Sequence, residues 1–228
     1  MISLRDNSRP RTPIATVLLI GANLLAFWYE FSLGDTRLEG FLDVWGVVPR
    51  SLAAFFAGAE SHPGVLVTPL TSMYLHVGTL HLASNMLYMW VFGSAVEQQL
   101  GRRRFLAFYT ACGLVAAAVQ VLVWRDSAIP AVGASGAIAG LLAAYLVLRP
   151  GATIAAVAPF LFFFPRVDVT AVLMLGLWFL SQFFSGLVTL APGSSSADMA
   201  WIAHLGGFFG GLLLIFFFRP CRRRPYYW

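Results

Sequence analysis

Residues 151–165 read GATIAAVAPFLFFFP, and whether this stretch crosses a membrane decides the fold. It is apolar, but fifteen residues fall short of the roughly 20 that a helix needs to span about 30 Å of hydrocarbon, and Pro159 and Pro165 interrupt it. Arginines on either side settle its reading. As a seventh span it would carry Arg222, Arg223 and Arg224 to the outer face. As a connection it leaves six spans: Thr12–Leu33, His76–Glu97, Phe105–Trp124, Ser135–Arg149, Val169–Leu190 and Met199–Phe218. The cytoplasmic side then collects Arg5, Arg9, Arg11, Arg102, Arg103, Arg104, Arg149, Arg166, Arg219 and the Arg222–Arg224 run, against Arg37, Arg50 and Arg125 outside. That distribution obeys the positive-inside bias. The stretch is therefore expected to be an interfacial or re-entrant connection, with both termini in the cytoplasm.

Composition agrees with a membrane-embedded chain. Of 228 residues, 59% are hydrophobic and 11% charged, and the mean hydropathy is +0.76, whereas soluble domains average about 25% charged residues. The net charge of +5 comes from arginines gathered at the chain ends and in one short loop, which suits loop topology and gives no nucleic-acid surface. Cys112 and Cys221 imply no disulfide framework. The basic start MISLRDNSRPRTP precedes an apolar segment without a small-residue cleavage site, so Thr12–Leu33 reads as a retained first span. Between the first two spans, VWGVVPRSLAAFFAG (residues 44–58) is amphipathic, as expected of an outside loop lying in the interface. The expected organisation is a cytoplasmic tail at 1–11, an all-α six-helix membrane domain at 12–218 and a basic cytoplasmic tail at 219–228.

Depth along the helices singles out four polar residues. With 1.5 Å of rise per residue, Ser135 lies fourteen residues, about 21 Å, above Arg149. His204 lies fifteen residues, about 22 Å, above Arg219. His81 is sixteen residues, about 24 Å, above Glu97, with Asn85 one turn deeper. One layer below the outer surface thus holds all four, on three helices running the same way, and polar groups at that depth face a cavity or one another. Gly136 with Gly140, Gly206 with Gly210, and Gly207 with Gly211 are small-residue pairs that let helix backbones approach. Gly207 and Gly211 share the face of His204, so the Ser135 and His204 helices are expected to touch.

Serine attacks a carbonyl when a base takes its proton, and His204 is the candidate base. No carboxylate matches its depth: Asp168 belongs to the cytoplasmic face, Glu97 to the inner end of its span, and Asp198 to the loop before His204. A Ser135–His204 dyad is therefore expected. The developing oxyanion needs donors. Free N–H groups open the Ser135 helix at its positive end, Gly133 permits close approach, and His81 and Asn85 offer side-chain donors from one face. The chemistry implied is acyl transfer, most simply peptide hydrolysis, inside a membrane. His76, near the outer boundary, is read as structural or water-contacting. Trp178, Phe179 and Gln182 suit a lateral gate or plain packing; packing is the commoner use of membrane aromatics, and they are not assigned to the site.

These residues resemble the rhomboid family of intramembrane serine proteases. GASG around Ser135 resembles its nucleophile motif, AHLGG around His204 its histidine motif, and HLASN its oxyanion motif with His81 and Asn85. WGVVPR in the first loop and GLWFLSQFFSG in the fifth span are similar too, and the resemblance covers about residues 12–218. It implies the six-helix rhomboid fold, no cofactor or metal, and single-span membrane proteins as substrates, cut near the outer face at small residues. A bacterial cytoplasmic membrane is the implied location. Two departures stand out: the first loop has no Trp-Arg pair, and Ala139 occupies a position where some members carry a tyrosine that stacks on the histidine. A catalytically silent relative that binds unstable transmembrane segments is the alternative. A small transporter is disfavoured, since neither inverted repeats nor paired intramembrane acids occur.

Overall fold

The computed structural model describes residues 12–157, 166–189 and 200–219. The expected tail at 1–11, Pro159 and Pro165, Asp198 with its loop, and the arginine-rich end from 220 lie outside the described residues. Ten α-helices appear among those described: α1 (Ile14–Leu33), α2 (Asp35–Trp45), α3 (Pro49–Phe56), α4 (Thr68–Thr71), α5 (Thr79–Tyr88), α6 (Ser94–Leu100), α7 (Arg102–Val123), α8 (Ser135–Leu148), α9 (Ala171–Thr189) and α10 (Ala200–Phe218). Of these, α1, α7 and α10 are long and apolar enough to cross a membrane, while α8 and α9 are shorter apolar helices. Their outward faces carry large apolar side chains, among them Leu25, Phe31, Leu122, Phe184 and Phe217, on a scale that water-soluble surfaces avoid.

The expected second span is helical but not uniform. It starts at Thr79 rather than His76, because Gly78 takes an extended conformation, and a π-helical turn at Met89–Gly93 joins α5 to α6. Gly101, at φ +78°, then turns the chain directly into α7. The expectation of an all-helical chain is amended at residues 153–170. Strand β1 (Thr153–Val157) pairs antiparallel with β2 (Arg166–Thr170), in a register that sets Thr153 opposite Thr170 and Val157 opposite Arg166. Paired strands satisfy their own backbone groups, and β2 takes Val169 and Thr170 from the start of the expected fifth span.

The core is α8, in which every residue from Gly136 to Tyr145 is buried. It lies between α7 and α10, and glycine is what lets the three meet. A Cβ on Gly136 would stand 2.6 Å from the Cβ of Ala116, and one on Gly140 2.5 Å from the Cβ of Cys112, both on α7. A Cβ on Gly211 would stand 2.5 Å from the Cα of Gly140, and one on Gly207 would fall on the Gly136 carbonyl. Gly206 and Gly210 pack the other side of α10 on Val119 and Val115. The close approach expected from the glycine spacing is thus backbone against backbone.

Two remote ties fix the periphery. Pro13 gives α1 no side-chain cap. Glu97 of α6 supplies one: its carboxylate accepts from Ala15 N at 3.0 Å, Thr16 N at 2.8 Å and Thr16 Oγ1 at 2.8 Å, where a helix presents free donors and positive potential. On the opposite side, Val47 and Ala131 exchange backbone hydrogen bonds of 3.0 and 2.8 Å, and Arg50 N donates to Ser127 O at 3.0 Å. The segment between α2 and α3, with the first turn of α3, thereby holds the loop that leads into α8.

Candidate active site

Ser135 is the first residue of α8, so its side chain stands at the open end of a buried helix. His204 is in the first turns of α10, one helical turn before Gly207. Because Gly207 and Gly211 bring the two backbones together, the side chains meet: Ser135 Oγ lies 2.7 Å from His204 Nε2. The other ring nitrogen, Nδ1, lies 2.6 Å from Oε1 of Gln182 on α9. An amide oxygen only accepts, so both contacts are satisfied when Nδ1 carries the hydrogen and Nε2 accepts from the Ser135 hydroxyl. The Gln182 amide nitrogen, for its part, donates to Ser181 Oγ at 3.3 Å. The Trp178 ring flanks the imidazole, with centroids 6.1 Å apart at 45°.

His81, Ser84, Asn85, Tyr88, Ser135, Trp178 and His204 line one cavity of about 230 Å³. The residues expected to serve the oxyanion are thus gathered beside the serine, each with a definite constraint. Asn85 is buried, and its amide nitrogen donates to the His81 carbonyl at 3.1 Å, which leaves one amide hydrogen unused. His81 Nδ1 is buried and has no hydrogen-bond partner among the described residues. The N–H of Gly133 is taken by the Ser72 carbonyl at 2.9 Å, so it is not free to donate into the cavity. At φ +127°, a Cβ there would sit 3.0 Å from two His81 ring atoms and 3.5 Å from Ser135 Oγ. Among the described residues no side chain caps α8, so its first-turn N–H groups are left without side-chain acceptors at the positive end of the helix.

No described carboxylate touches His204. Glu97 is spent on α1, and Asp168 is in β2. Sequence reasoning missed Glu30, which is buried on α1 and accepts the His76 N–H at 3.2 Å on each oxygen. The His76 ring in turn packs edge-on against His81 at 5.0 Å. It also passed over Gln182, whose signal was a lone polar amide inside the aromatic run of α9. Among the described residues, no group of three His, Cys, Asp or Glu side chains is placed to hold a metal ion.

A rhomboid domain model matches residues 63–221. The chain is 36% identical over 135 residues to rhomboid protease GluP of Bacillus subtilis, covering 59% of this chain and 24% of that protein. To RHOMBOID-like protein 7 of Arabidopsis thaliana it is 34% identical over 193 residues, covering 85% and 56%. To the human mitochondrial presenilin-associated rhomboid-like protein it is 28% identical over 156 residues, covering 64% and 40%. The chain therefore spans between about a quarter and somewhat over half the length of these relatives.

Proposed function

Since the chain belongs to the rhomboid family of membrane proteins, we propose that it is an intramembrane serine endopeptidase working through a Ser135–His204 dyad. One observation carries this reading: the 2.7 Å contact from Ser135 Oγ to His204 Nε2 at the uncapped N-terminus of α8. As a scissile carbonyl enters the cavity, Oγ attacks its carbon and the hydroxyl proton passes to Nε2. The carbonyl oxygen becomes an anion, and the α8 amides together with His81 and Asn85 donate to it. His204 then returns the proton to the leaving amine, giving an acyl-enzyme, and a water activated by the same base releases the acid.

The substrates in this proposal are single-span membrane proteins, cut near the outer face at small residues in a segment that unwinds readily. Six spans across residues 12–218, both termini in the cytoplasm, an interfacial first outside loop and a bacterial inner membrane complete the reading. The arginine distribution supports that topology. A fluorophosphonate probe on the detergent-solubilised chain tests the nucleophile. Labelling and cleavage of a single-span substrate should both vanish in Ser135→Ala, and cleavage should vanish in His204→Ala. Persistent labelling or cleavage in folded Ser135→Ala removes that serine as nucleophile.

A further inference from the structure

We propose that Gln182 is the positioning residue of this site, fixing His204 in the Nδ1–H tautomer and taking the place that an acid holds in a triad. This rests on the dyad reading above. A neutral imidazole can carry its hydrogen on either nitrogen, and only the Nδ1–H form leaves Nε2 able to receive the serine proton. Gln182 Oε1, 2.6 Å from Nδ1, selects that form, because an amide oxygen has nothing to donate.

Among the described residues, neither an α8 aromatic nor a carboxylate holds the ring. Ala139, one turn along α8 from Ser135, offers only a methyl group. Both ring nitrogens are occupied, by Gln182 and Ser135, and the described carboxylates lie elsewhere. Trp178, four residues before Gln182 and on the same face of α9, lies beside the ring. One helix face thus supplies both the flank and the acceptor that set the imidazole. A neutral amide suffices for orientation, as the Cys–His–Asn arrangement of other proteases illustrates. It lacks the negative charge with which an acid also stabilises imidazolium. Its loss should therefore cost less than the roughly 10⁴-fold seen when a triad acid is neutralised. Leaving a buried N–H without an acceptor corresponds to about 10- to 100-fold.

The test uses the full chain in detergent with ¹⁵N-labelled histidine. Long-range ¹⁵N correlations of the parent should show His204 protonated at Nδ1 and bare at Nε2, and Gln182→Met should lose that single-tautomer signature. In cleavage of a single-span substrate, Gln182→Met should lower kcat about 10- to 100-fold with KM unchanged, and Gln182→Glu, which keeps an acceptor, should recover to within a few-fold of the parent. A parent protonated at Nε2, full turnover in Gln182→Met, a change in KM alone, or Gln182→Glu as slow as Gln182→Met each overturns the proposal. Should Gln182→Met fail to fold, the parent spectrum and Gln182→Glu still decide it. Ser135→Ala separates the two readings: it should abolish cleavage while His204 keeps its Nδ1 hydrogen. Cleavage surviving there sinks the dyad, whereas a changed tautomer in Gln182→Met alone bears only on Gln182.

Discussion

His204 has two very different neighbourhoods. Toward α8 the contact is made by removing side chains: Gly207 and Gly211 of α10 lie on Gly136 and Gly140, and the serine comes into reach because the backbones do. Toward α9 the contact is made by adding side chains: Gln182 and Trp178 reach out from a helix whose Leu177, Leu180, Phe183 and Phe184 face outward. The first arrangement sets distance, since packed backbones have few ways to yield. The second sets orientation, since a hydrogen bond specifies direction and proton placement. The proposed role of His204 as a base needs both, and the two are supplied from separate helices by opposite means.

The comparison is most exposed to a change on the seam. In Gly207→Ala the new methyl would land on the Gly136 carbonyl. Overpacking a core costs typically 1–3 kcal/mol and occasionally more, and a backbone obstacle puts this case at or above about 3 kcal/mol. Thermal unfolding in detergent should show a large drop in Tm, with cleavage lost. A variant as stable and active as the parent would mean that α8 and α10 are not packed as described.

The cavity wall between the two neighbourhoods ranks next. His81→Ala and Asn85→Ala should each slow turnover without unfolding the chain, by at most the 10²- to 10³-fold typical of one oxyanion donor. Parental activity in the double variant would make this pair structural. On the α9 side, Trp178→Leu removes an aromatic flank worth about 0.5–1.5 kcal/mol. It should cost a few-fold to about tenfold in kcat/KM, measured beside Gln182→Met to ask whether the losses combine as for a shared partner. The smallest effect belongs to Asp168→Asn in β2, where turnover should match the parent. A loss near 10⁴-fold there would mean that an acid orients His204 after all.

What the sequence made legible was local or periodic. Ser135 and His204 could be set at one depth by counting residues, and the four-residue spacing of Gly207 and Gly211 indicated the face that closes on α8. What it hid was distant or chemically unexpected. Gln182 is hard to find in sequence because the usual orienting partner of such a histidine is a carboxylate, and a neutral amide among aromatics reads as packing. The position of Glu97 was legible but its task was not, since the amides it binds are 81 and 82 residues away. The β1–β2 pair escaped for the same reason. Thr153–Val157 is as apolar as the helices beside it, and strand pairing depends on a partner that local pattern does not display.

The glycine contacts also differ in what a second mutation can repair. A methyl added at Gly113 would strike the tip of the Met73 side chain, a flexible group that can move aside or be trimmed. The damage is negotiable, and Met73→Ala is the expected suppressor of Gly113→Ala. At Gly207 the obstacle is the carbonyl of residue 136, an atom common to every amino acid. No exchange at position 136 can remove it, so a lesion at Gly207 has no suppressor at its point of contact. The chain is free to vary in how it fills the space around Met73, but not in the spacing of the two helices that carry Ser135 and His204.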